Sequence, residues 1–137
     1  SGQLVIVAGG GRDLTWPSES IATHLLRATR GRLVQALLHG AARGADQAIA
    51  AAADQLGWRQ IACPAAWREH GRAAGPIRNR HMLERSLDLI SALPLGAGLL
   101  VIGFPGSRGT ASLLDQAHRL SRCSAIPIEV IQIPQAA

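Results

Sequence analysis

At 137 residues the chain is sized for one domain with a real core, and a hydrophobic content of 47% excludes global disorder. Its longest weakly polar stretch, residues 92–104, is too short and too rich in Gly and Pro for a membrane span, which takes about 20 apolar residues. All basic side chains are Arg, which excludes a Walker A loop and Schiff-base chemistry, since both require Lys. The net charge of +5 suits an anionic partner.

Residues 4–8 predict a first strand that ends in Gly9-Gly10-Gly11. Pro17 suits the opening turn of a helix whose apolar stripe is Ile21, Leu25 and Leu26. A second strand over 33–38 closes on His39-Gly40, and a helix follows from about 44–46 with Ile49, Ala53 and Leu56 on one face. Gly57 sits where a helix C-terminal glycine belongs. A short third strand over 59–63 runs through Pro64 into a polar stretch, and Pro76 opens a third helix carrying Leu83, Leu87 and Ile90. Residues 99–104 read as the fourth strand, and residues 105–110 turn into a fourth helix with Leu113, Ala117 and Leu120. A last strand covers 126–133, with the tail after Pro134 expected to fray. Such alternation predicts an α/β fold, a Rossmann-like three-layer α/β/α arrangement with a mostly parallel sheet of about five strands. No repeat or linker interrupts it, so residues 1–137 are expected to form a single domain.

Ligands of open α/β sheets sit outside the carboxyl ends of the strands, and here each strand end carries Gly together with Arg. The first loop offers Gly10, Gly11 and Arg12, and the second Gly40, Arg43 and Gly44. The third leads into Arg78 and Asn79, and the fourth offers Gly106, Ser107, Arg108, Gly109 and Thr110. Glycines permit close backbone approach, a following helix turns its positive end toward the loop, and Arg presents a fork to phosphate oxygens. Four such loops in register predict a phosphate-bearing ligand. The first loop lacks the dinucleotide fingerprint, because Leu14 stands where its last Gly is required.

GGGRD at 9–13, HGAARGAD at 39–46, W-x-x-x-GRAAGPIRN at 67–79 and FPGSRGT at 104–110 resemble the YspA/YpsA-related branch of the SLOG superfamily. That superfamily includes the LOG phosphoribohydrolases and the DprA proteins. The resemblance implies a Rossmann-like domain that binds nucleotides or nucleotide derivatives. LOG enzymes pair an Arg in R-K-x-x-M with a Glu in P-G-G-x-G-T-x-x-E. Arg78 and Met82 match the first motif, with Asn79 in place of Lys. In the second, Ser107 replaces a Gly and Leu113 replaces the catalytic Glu. A leucine carries no proton and no charge, so hydrolysis would need another carboxylate, with Asp46 and Asp13 the candidates.

The catalytic candidates are therefore Arg78 and Asp46, the alternatives being a structural ion pair for Arg78 and a helix cap for Asp46. Asn79 is expected to cap its helix or to contact the ligand. Trp67 either stacks on a base or packs beneath its loop, while Trp16 and Trp58 are read as packing residues. His39 reads as a satisfied, partly buried side chain. Cys63 and Cys123 stand alone as reduced thiols, and neither a metal nor a resident cofactor is expected. The expected partner is a nucleotide or derivative, bound by a sensor or by a hydrolase of an N-glycosidic bond. A DprA-like single-strand binder is the alternative, disfavoured because the arginines form no run interleaved with aromatics. Self-association as a dimer is implied by the resemblance. No charged-then-apolar leader opens the sequence, so the cytosol is the expected compartment.

Overall fold

The computed structural model describes residues 2–135. Five parallel strands, β1 (Gln3–Gly9), β2 (Leu33–His39), β3 (Gln60–Ala62), β4 (Gly98–Gly103) and β5 (Ile128–Gln132), form one sheet in the order β3-β2-β1-β4-β5. Helices α1 (Ser18–Thr29), α2 (Ala45–Gln55), α4 (Ala74–Ser91) and α5 (Arg108–Ser121) cover it, and the short α3 (Trp67–His70) packs against α4. The expected Rossmann-like three-layer arrangement is present, and the sheet is parallel throughout.

Strand alternation divides the core into two faces. Leu4, Ile6 and Ala8 of β1, with Leu100 and Ile102 of β4, pack against Ile21, Leu25 and Ile49 of α1 and α2. Val5, Val7, Leu99 and Val101 meet Met82, Leu83, Leu113 and Ala117 of α4 and α5 on the other face. Both faces of β1 and β4 are therefore apolar, which explains the unbroken hydrophobic runs in the sequence.

Two readings require correction. Leu26, placed in the stripe of α1, is 54% exposed, because Ile21, Leu25 and Ala28 already fill the contact with the sheet. The stretch between β3 and α4 holds the short α3 and a 3₁₀ turn, Gly71–Ala73, and α4 begins at Ala74, two residues before Pro76. Tolerance of Pro extends over the whole first turn, where no N–H is needed for the helix ladder. Past β5, Ile133 N–H donates to Gly103 O at 2.8 Å, and Pro134 and Gln135 line the cleft described below. The expected fraying of residues 136 and 137 lies outside the described residues.

The chain leaves β1 toward one edge and returns after β3 to the other side of β1. The loops after β1 and β4 therefore diverge, and a crevice opens between them at the carboxyl end of the sheet.

Candidate functional site

A cleft of about 1040 Å³ occupies this crevice, at the upper end of the range for small-molecule sites and large enough for a nucleotide. The loop after β1 contributes Gly10, Gly11 and Arg12, and the loop after β2 contributes Gly40 and Arg43. Asp46, Arg78 and Asn79 enter from α2 and α4, and Gly106 to Thr110 form the opposite wall. Of the residues singled out in the sequence, Gly44 alone does not line the cleft.

Most of the glycines have a second reason to be glycine. A Cβ on Gly10 would lie 2.6 Å from the Cβ of Ala45, and one on Gly40 would run into the Arg78 guanidinium. Gly44 has φ +72 and ψ −121, and its missing side chain would strike the backbone carbonyl of Arg12. The loops are also stitched together, with Gly11 N–H donating to Pro105 O at 2.8 Å and Ala45 N–H to Gly11 O at 3.0 Å. Gly109 differs: a Cβ there would meet no atom within 4 Å, so its place on the cleft wall is open.

Arg78 and Asn79 fasten three loops from one turn of α4. Arg78 Nη1 donates to Gly40 O at 2.7 Å and Cys63 O at 3.3 Å, and its Nε donates to Asn79 Oδ1 at 2.9 Å. Asn79 Nδ2 in turn donates to Gly109 O at 3.0 Å. Asn79 is thus not a cap: it lies in the second turn of α4, buried, and holds the start of α5. Among the described residues Arg78 forms no ion pair within 4.0 Å; its partners are the carbonyls at the ends of β2 and β3. Burial pushes its guanidinium down from the usual value, opposed by the Asp46 charge.

Asp46 stands at the start of α2 without capping it. Its Oδ2 accepts from Ala42 N–H at 3.1 Å, which shapes the β2 loop, while Oδ1 is buried with no hydrogen-bond partner. Burial raises the carboxyl above its ordinary value, and this outweighs the lowering by Ala42 N–H and Arg78. An orphaned acceptor at the floor of a cleft is unusual, because buried polar atoms are nearly always paired.

This predicts a stabilising substitution. Asp46→Asn keeps an oxygen for Ala42 N–H and removes the buried charge, and should raise stability near neutral pH by about 1–2 kcal/mol, roughly 3–8 °C in Tm. Because the folded-state pKa is raised, ionisation costs stability above it. The gain should therefore shrink as pH falls through that raised value and vanish where both states are protonated. Melting curves across the acidic range check this, and a variant less stable at neutral pH would refute it.

His39 is buried and satisfied, as expected. Its Nδ1 accepts from Ala41 N–H at 3.1 Å, which leaves Nε2 to donate to Gln60 Oε1 at 2.8 Å. Ala41 has φ +58, and this contact helps to hold that unfavourable conformation at the cleft. Burial pushes the Cys63 thiol up, and the backbone carbonyl of the same residue accepts from Arg78. Leu113 is packed in the core beneath Gly9. Among the described residues no three His, Cys, Asp or Glu side chains gather as a metal would require.

Sequence reasoning missed several parts of the wall. Arg72, Trp16 and residues 132–135 all line the cleft. Trp16 packs as expected, stacked on His24 at 5.5 Å and edge-on to Phe104 at 6.2 Å, yet also faces the cavity. In all, Arg12, Arg43, Arg72, Arg78 and Arg108 face the cleft against Asp13 and Asp46, so positive charge is in excess there.

The model of the YspA, cpYpsA-related SLOG family matches residues 4–70, from β1 through the Asp46 loop to α3. The Gene 61 protein of Mycobacterium phage D29 is 35% identical over 94 residues, which cover 62% of this chain and 70% of that protein. The chain belongs to the YspA, cpYpsA-related SLOG family. No solved structure matches it. Membership in this SLOG family points to a nucleotide-related function. No helix among the described residues is long and apolar enough to cross a membrane.

Proposed function

We propose that the cleft binds a phosphate-bearing nucleotide or nucleotide derivative. The observation that carries this reading is the convergence of five arginines on the strand-end crevice, opposite the uncapped first turn of the 14-residue α5. Residues 107–110 line the cleft, and no side chain satisfies the first-turn N–H groups of that helix. Free N–H groups at a positive helix end, with Arg108 beside them, form a phosphate cradle. Asp46 Oδ1 then offers an acceptor for a ribose hydroxyl if loop movement opens a path to it.

The same carboxyl supports a second reading, hydrolysis of an N-glycosidic bond. Water would add to the anomeric carbon as the base leaves with a proton, and a carboxyl with a raised pKa is suited to that transfer. Leu113 supplies nothing to such a step, so Asp46 would carry it.

The test is a thermal-shift series with nucleoside mono-, di- and triphosphates and the matching nucleosides. A ligand at one hundred times its Kd should stabilise the fold by about 2.7 kcal/mol. Phosphorylated forms should stabilise more than nucleosides, and hits are then assayed for released base. Stabilisation without base release supports a binder or sensor. No stabilisation by any phosphate ester removes the reading, and affinity for oligonucleotides alone would favour a nucleic-acid partner.

A further inference from the structure

Resting on the reading of the cleft as a phosphate site, we propose that the face of Trp67 now covered by Arg12 is a nucleobase-stacking subsite. The Arg12 Cζ lies 4.7 Å from the centroid of the Trp67 ring. A guanidinium is planar, so on an aromatic face it occupies the place a base would take.

The setting of the two side chains differs from that of their counterparts. Trp16 and Trp58 pack against the core, whereas Trp67 is 46% exposed at the mouth of the cleft. No residue of α3 or of the following 3₁₀ turn is buried, and that segment rests chiefly on the start of α4. The edge of the Trp67 ring lies over Gly75 at the start of α4, which leaves a face of the ring toward the cleft. Arg43 pairs with Asp13, and Arg78 is held by two carbonyls. Among the described residues Arg12 makes neither an ion pair nor a side-chain hydrogen bond, so the Trp67 ring is its partner.

Exchange of the two stacks is favourable on physical grounds. A solvent-exposed cation–π contact is weaker than the stack of a nucleobase on an indole. The backbone root of Arg12 follows Gly11, which is bonded to Pro105 at the loop before α5. Displaced from the ring, the Arg12 side chain stays rooted beside that loop, where its guanidinium would join a phosphate. One ligand would thus release Arg12 with its base and engage it with its phosphate.

The experiment measures calorimetric affinities of AMP, GMP, CMP and UMP, their nucleosides and ribose 5-phosphate, for the native chain and for Trp67→Ala, Trp67→Phe and Arg12→Ala. At least one nucleotide should bind the native chain more tightly than ribose 5-phosphate does. Trp67→Ala should weaken that nucleotide roughly 5- to 100-fold, leave ribose 5-phosphate unchanged, and be partly rescued by Phe. Arg12→Ala should weaken that nucleotide relative to its nucleoside, while nucleosides bind at least as tightly as before. Equal affinity of ribose 5-phosphate and all four nucleotides would overturn the subsite and leave the phosphate-binding reading of the cleft standing. Equal losses for nucleotide and ribose 5-phosphate in Trp67→Ala would also overturn it, as would weaker nucleoside binding in Arg12→Ala. Binding of none of these probes would defeat both readings.

Discussion

Gly44→Ala is expected to destabilise the fold by about 3–5 kcal/mol, a large share of the 5–15 kcal/mol typical of a domain. Two effects add. At φ +72 and ψ −121 an L side chain has no low-energy backbone well, and the new methyl meets the Arg12 carbonyl rather than a flexible side-chain end. Relief requires moving the β1 loop, which is fixed on both sides by Gly11 N–H to Pro105 O and Ala45 N–H to Gly11 O. Urea unfolding should show a lower midpoint with little change in slope, because the surface exposed on unfolding is nearly the same. Gly57→Ala serves as the comparison: Gly57 also has φ +72 but nothing within 4 Å of a Cβ, so its cost should be confined to conformation, about 1 kcal/mol. Similar losses in the two variants would show that loop–loop contact at Gly44 contributes little.

Arg78→Ala is expected to abolish binding of phosphate-bearing ligands and to lower stability by about 2–4 kcal/mol. The side chain removed is both a cation of the cleft and the tie between Gly40 O and Cys63 O, the carbonyls at the ends of β2 and β3. Its loss also leaves Asp46 without the nearby positive charge that partly offsets burial, so the Asp46 carboxyl should rise further. Arg78→Lys should recover part of the charge but not the fork that spans two carbonyls. A double variant, Asp46→Asn with Arg78→Ala, separates the contributions, because it removes the buried carboxylate along with its cation. It should be more stable than Arg78→Ala alone and still fail to bind. Unchanged affinity in Arg78→Ala, read by calorimetry on a ligand of the native chain, would remove this residue from the site.

The sequence by itself determined the alternation of strands and helices, the parallel sheet and the end of the sheet where the crevice opens. Each depends on short-range information: unbroken apolar runs such as 4–8 and 99–104, helical spacing such as Leu83, Leu87 and Ile90, and glycine at the strand ends. It also marked the loops that line the cleft, because Gly with Arg at a strand end is a local pattern. Only the tertiary structure decided what those residues do there. Gly10, Gly40 and Gly44 prove to be places where loops far apart in the sequence touch, and Asn79 holds Gly109 instead of capping its own helix. Asp46 keeps one oxygen for Ala42 and leaves the other orphaned, and Arg12 comes to rest on Trp67, 55 residues away by number (67 − 12). None of these contacts has a period or a spacing. They follow from strand order, which brings the ends of β1, β2 and β4 together and turns separate loop signals into one site.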